Sequence, residues 1–237
     1  MHAETGTELR APGDVTHLDG DPLYIQYNGL WTSAKVFTEG NDNNPAYKAE
    51  CRLRAPNVRV TKTSNGEVIG FSTLHPVSIH CNMTLHGRKG KLQALSNWKT
   101  KYTHLSYAYS DSAAPMPMEW TSQSSFKTWD FVCVDDMQNP VAKFVSNNWR
   151  THKMGRIEFL GPKAHDEKAR EEIVVCGLTM YNVMMLRMNN FLSLGGAFFN
   201  KTGPFTPAQI EAARREGGVE PEEVEVLEDK YGNGKQH

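Results

Sequence analysis

The sequence predicts one mainly β domain whose antiparallel strands wrap a single apolar helix. Two patterns point there. From Leu23 to about Leu160, short runs rich in Val, Ile, Phe, Tyr and Thr alternate with turn residues at intervals of roughly 8 to 12, the spacing of a sandwich or barrel. From Ile173 to Met188 no period of two survives, and Val174, Val175, Leu178, Met180, Tyr181, Val183, Met184, Met185 and Leu186 occupy every side of a helical wheel. A helix that is apolar all round is buried all round.

Taken in order, Val58 to Thr61 and Val68 to Leu74 read as strands joined at Asn65-Gly66, a dipeptide that favours a two-residue type I′ turn because both residues tolerate positive φ. Val77 to His86 alternates strictly, with Val77, Ile79, Cys81, Met83 and Leu85 on one face and Ser78, His80, Asn82, Thr84 and His86 on the other. Such a strand has one dry face and one wet face. Gly87 to Gly90 reads as the next turn. Asp135 to Pro140 makes a third, between strands Trp129 to Val134 and Val141 to Ser146, and a loop from Asn147-Asn148 leads to the strand Arg156 to Leu160.

After Gly161-Pro162 the chain is charged as far as Glu172, and the apolar helix follows. Its uncharged part, Ile173 to Leu186, is 14 residues, short of the roughly 20 that a bilayer requires. Extension takes in Arg187, and an Arg near mid-membrane costs about 2.5 to 3.5 kcal/mol. A helix of that length runs about 21 Å, as does a strand of six or seven residues, so it fits the height of a barrel. Gly177 suits close approach of a strand, Thr179 can bond back to a helical carbonyl, and a buried Asn182 needs a partner on the wall. The helically spaced Met180, Met184, Met185 and Met188 read as core filler.

The chain divides into an acidic segment 1–22, a barrel domain 23–203 with its helix at about 173–188, and an acidic tail 204–237. Residues 23–203 hold 21 Lys and Arg against 14 Asp and Glu, so a net charge of -1 conceals a basic body between acidic ends. In the tail, Thr206-Pro207 reads as an N-cap and N1 pair opening a short helix that ends before Gly217-Gly218. Val219 to Asp229 beyond it reads as an acidic, disordered segment that could mask the basic loops. The four cysteines, Cys51, Cys81, Cys133 and Cys176, form no C-x-x-C pair and suit neither a disulfide framework nor a zinc site. With a polar N-terminus that lacks a secretory pattern, reduced thiols and a cytoplasmic location, peripheral at a membrane, are expected.

The run Trp129-Asp130-Phe131-Val132-Cys133-Val134-Asp135-Asp136, then Asn139-Pro140-Val141-Ala142-Lys143-Phe144, then Gly155-Arg156-Ile157-Glu158-Phe159, closing on the helix Ile173 to Met188, resembles the tubby C-terminal-like superfamily. That superfamily includes tubby proteins, the plant LURP-one-related proteins and the phospholipid scramblases. The likeness covers about residues 23 to 190. It implies a closed antiparallel barrel of about twelve strands around a buried C-terminal helix, and behaviour linked to phospholipid, phosphoinositides above all. The cysteine-rich palmitoylation segment and proline-rich N-terminus associated with scramblases are missing here, so scramblase activity is not implied.

The chemistry legible in the residues is modest. Arg88, Lys89 and Lys91 fall in or beside one turn, Lys99 and Lys101 flank Trp98, and Arg150, Lys153 and Arg156 follow Trp149. Basic loops with an aromatic at hand can hold an anionic headgroup, each charge contributing about 1 kcal/mol near an anionic leaflet. His80 and His86 share a face roughly 20 Å apart and make no ligand set. Asp135 and Asp136 sit where a turn favours Asp. No G-x-S-x-G, H-E-x-x-H, P-loop or dinucleotide fingerprint occurs. The expected function is a non-enzymatic barrel, without cofactor, that binds anionic phospholipid or a protein partner through basic loops, with no nucleic acid as partner. A hollow barrel that binds or acts on a small apolar ligand is one alternative, and an interaction scaffold without a lipid role is another.

Overall fold

A computed structural model describes residues 19–28, 33–38, 44–52, 54–75, 78–122, 128–147, 155–189 and 200–216. Twelve antiparallel strands form a closed barrel in which each strand pairs with its neighbours in sequence and β1 closes on β12. They are β1 (Gly20–Tyr27), β2 (Ser33–Thr38), β3 (Tyr47–Cys51), β4 (Val58–Lys62), β5 (Val68–Leu74), β6 (Cys81–Leu85), β7 (Arg88–Ala94), β8 (Lys101–Ser106), β9 (Met116–Ser122), β10 (Thr128–Val134), β11 (Pro140–Asn147) and β12 (Gly155–Phe159). Among the described residues two helices follow, α1 (Glu167–Asn189) and α2 (Pro207–Glu216).

Period-two burial sends Leu23, Ile25, Val36, Ala49, Val60, Met83, Leu92, Tyr102, Trp120, Phe131, Phe144 and Ile157 inward. There they meet α1, which is buried continuously from Glu171 to Tyr181. Contacts to opposite sides of the wall place α1 along the barrel axis: Thr179 Oγ1 donates to Ser72 Oγ of β5 at 3.0 Å, and Tyr181 packs on Tyr27 of β1 and Phe144 of β11. Gly177 admits the Phe144 ring so closely that an added Cβ would stand 2.7 Å from it. Gly70 of β5 admits Val175 of α1, where a Cβ would stand 3.0 Å from Val175 Cγ2 and 2.8 Å from the Thr84 carbonyl oxygen of β6.

The helix starts six residues before its apolar run. Asp166 caps it, its Oδ1 accepting the Ala169 amide proton at 2.8 Å, so the charged approach is helical too. Three local expectations are corrected. Asn65-Gly66 is not a two-residue turn, because Gly66 alone has positive φ and the Lys62 amide already bonds the Glu67 carbonyl. The type I′ geometry falls instead at His86-Gly87, with φ of 46° and 78°, so β7 begins at Arg88 and Gly90 lies within a strand. Thr179 bonds across to β5 and not back along the helix. The Asp135 turn is as expected, its carboxylate accepting from the Asn139 amide at 2.7 Å and from the Asn139 side chain at 3.0 Å.

Alternating strand direction gives the barrel two mouths. The entry mouth, where α1 begins, carries the hairpin turns at 63–67, 86–87 and 135–139; the exit mouth carries 52–57 and 95–100. Residues 200–206 and α2 run over the outer wall from the exit mouth towards the entry mouth. The Gly203 amide donates to the Ala94 carbonyl, Gln93 Nε2 donates to the Gly203 carbonyl at 2.7 Å, and the Tyr107 hydroxyl donates to the Ala213 carbonyl. Thr206 and Gln209 cap α2 reciprocally.

Candidate functional site

The exit mouth presents the most structured basic surface. Between β7 and β8, Ser96 Oγ accepts from the amides of Trp98 at 3.3 Å and Lys99 at 3.1 Å, and the Leu95 amide bonds the Lys101 carbonyl at 2.8 Å. Arg187, in the last turn of α1, donates to the Asn97 carbonyl at 3.0 Å and to the Tyr102 hydroxyl at 3.1 Å. Thr100 Oγ1 reaches Met184 Sδ at 3.4 Å. The loop is thus pinned at its base by the buried helix while its tip faces out. Trp98 is 68% exposed there, and it and Met137 are the large apolar side chains left exposed among the described residues. Trp98, Lys99, Thr100, Lys101, Thr121 and Ser122 line an open depression of about 350 Å³.

The candidate basic residues do not form one cluster. Lys99 and Lys101 lie at the exit mouth, with the Lys101 amine 2.7 Å from Glu119. Arg156 begins β12 at the same mouth but four strands round the wall from β8, roughly 19 Å at about 4.8 Å per strand, and is ion-paired with Glu158. Arg88, Lys89 and Lys91 sit on β7 towards the entry mouth, where the Arg88 guanidinium stacks 4.6 Å from the centre of the Tyr107 ring. Arg150 and Lys153 lie outside the described residues.

A second constellation is internal, and sequence reading missed it. The Trp120 indole N–H donates to His104 Nδ1 at 3.2 Å, and His104 Nε2 lies 3.0 Å from Glu172 Oε1. An indole nitrogen only donates, so Nδ1 is unprotonated and the neutral ring donates Nε2–H to the carboxylate. Trp120 and His104 are fully buried and Glu172 is 4% exposed. Close by, the Tyr109 hydroxyl is buried without a hydrogen-bond partner among the described residues, and burial pushes its ionisation far up. Burial likewise raises the Cys133 and Cys176 thiols well above their usual range and Cys81 to about 12. The two bonds of His104, to Trp120 on β9 and to Glu172 on α1, tie the helix to β8 and β9 within the buried interior. One signal was available: His104 falls at an inward position of its strand.

At the rim of the entry mouth Lys62 bonds Glu167 and lies 3.2 Å from Glu171, which keeps its amine protonated; Glu171 is also 3.4 Å from His86. The cysteines are free thiols, and no group of three or more His, Cys, Asp or Glu among the described residues is arranged to hold a metal ion. No helix among the described residues is long and apolar enough to cross a membrane. No family model, curated protein or solved structure matches this chain.

Proposed function

We propose that the chain is a non-enzymatic, tubby-like barrel that docks by its exit mouth on anionic phospholipid, phosphoinositides included, at the periphery of a membrane. One observation carries the reading: a tryptophan 68% exposed at the tip of a pinned loop, flanked by Lys99 and Lys101. Trp favours the depth of lipid headgroups, and adjacent lysines add attraction to an anionic leaflet. Pinning by Arg187 reduces the ordering cost of binding. The order of elements supports the family likeness, with a helix that follows all twelve strands packed inside the barrel. The axis that a hollow-barrel ligand would need is occupied by α1.

Flotation with vesicles tests it. The chain should float with phosphoinositide vesicles and not with neutral ones, and Lys99→Ala should weaken binding by about 1 kcal/mol, roughly fivefold. Trp98→Ala should weaken it further. Equal retention by neutral vesicles, or unchanged binding by both variants, rejects the proposal.

A further inference from the structure

The β6–β7 hairpin leaves a strand edge open. Among the described residues β7 pairs with β8 at Gln93 and Ala94, whereas it pairs with β6 from Arg88 to Leu92. With a two-residue turn at His86-Gly87, Leu85 and Arg88 form the first hydrogen-bonded pair, and such pairs alternate along an antiparallel ladder. Lys89 and Lys91 therefore point their amides and carbonyls away from β6, into the edge that β8 has left. Their side chains share the outer face with their partners Thr84 and Asn82. Arg88, Lys89 and Gly90 are exposed, so α2 does not cover this edge although it ends beside it at Tyr107.

The sequence that follows α2 is complementary to that edge. Gly217-Gly218 allows the chain to reverse, and Val219 to Asp229 is acidic, with Glu223-Val224-Glu225-Val226 alternating at the period of a strand. Glu223 and Glu225 are two residues apart, as are Lys89 and Lys91. Laid along β7 in either direction, one face of this segment would set its glutamates opposite the two lysines, and the other would set Val224 against Gly90. Lysines on an open edge repel most strands, and an alternating acidic strand is the kind they admit.

We propose that residues 219–229 of the chain's own tail add to the open edge of β7, held by backbone pairing and by Glu223 and Glu225 against Lys89 and Lys91. The site lies away from the exit mouth and is independent of the lipid reading.

Hydrogen exchange in the full-length chain tests this. Glu223→Lys with Glu225→Lys, and separately Lys89→Glu with Lys91→Glu, should each speed exchange of the amides of Lys89 and Lys91 by roughly tenfold. The four substitutions combined restore opposite charges and should recover most of the protection. These positions are surface or tail, and unchanged circular dichroism verifies the fold of each variant. Wild-type exchange in both charge reversals overturns the proposal, as does failure of the combined variant to recover. Protection that rises with protein concentration also overturns it, by assigning the edge to a second copy.

Discussion

Two histidines have their tautomers fixed by what surrounds them. His80 Nδ1 accepts the Ala94 amide proton at 3.0 Å, so its Nε2–H donates to the Lys201 carbonyl. Partial burial, with Lys91 nearby, lowers its pKa below 6.5. Below about pH 6.5 the unfolded chain takes up a proton that this neutral ring refuses, so its contribution to stability is present at neutral pH and lost as pH falls. Urea midpoints should drop on acidification, less steeply in His80→Gln, and equal slopes would contradict the assignment. At His104, Trp120→Phe strips a donor from a buried acceptor and should cost about 1 to 3 kcal/mol in urea unfolding. A loss near zero would mean that the ring nitrogen finds another partner.

At the scale of elements, the fit of α1 to its wall is set by small residues. Gly177→Ala would press a methyl into the Phe144 ring at 2.7 Å, and overpacking of this kind costs about 1 to 3 kcal/mol. A thermal melt of that variant should move down, and an unchanged melting temperature would show that Phe144 can turn aside. The close approach was legible in the sequence, because a glycine inside an otherwise apolar helix has few other uses. The buried span of α1 and strands β4, β5, β10 and β11 were legible for the same reason, that periodicity reports burial directly. The first turns of α1 were not, because Glu167, Glu171 and Glu172 look like part of a solvated loop until Lys62, His86 and His104 supply their partners across the wall. The Asn-Gly signal was misread for a similar reason: a turn's length is set by the strand register on both sides, which the dipeptide does not contain. The basic loops were individually visible, but which mouth each would occupy depends on strand direction and count, and no local motif carries that.

For the whole molecule, the two mouths differ in charge. Asp111, Asp135, Asp136, Asp166, Glu167 and Glu171 stand at the entry mouth, where α1 begins, among Lys62, Arg88, Lys89 and Lys163, while Arg52, Arg54, Lys99, Lys101, Arg156 and Arg187 stand at the exit mouth, where it ends, with Glu50, Glu119 and Glu158 beside them. Each set complements the adjacent end of the helix macrodipole, and on the proposed lipid reading the asymmetry would turn the barrel exit mouth first towards an anionic surface. Raising ionic strength should slow association with anionic vesicles in stopped-flow mixing more than it speeds release. The opposite pattern would assign binding to Trp98 alone.

The axial helix also sets an order of events. It is the innermost element of the molecule yet follows every strand of the wall in the chain, and the wall closes between its first strand and its last. During synthesis all twelve strands leave the ribosome before the element they are built around, with their apolar faces lacking a core. Final closure must bring distant parts of the chain together, which is slow for β topologies and leaves a half-built wall prone to aggregation. Refolding from denaturant should therefore depend on chain concentration far more than its equilibrium stability does, and a chain cut short before Ile173 should accumulate as an insoluble or chaperone-bound species and not as an empty barrel.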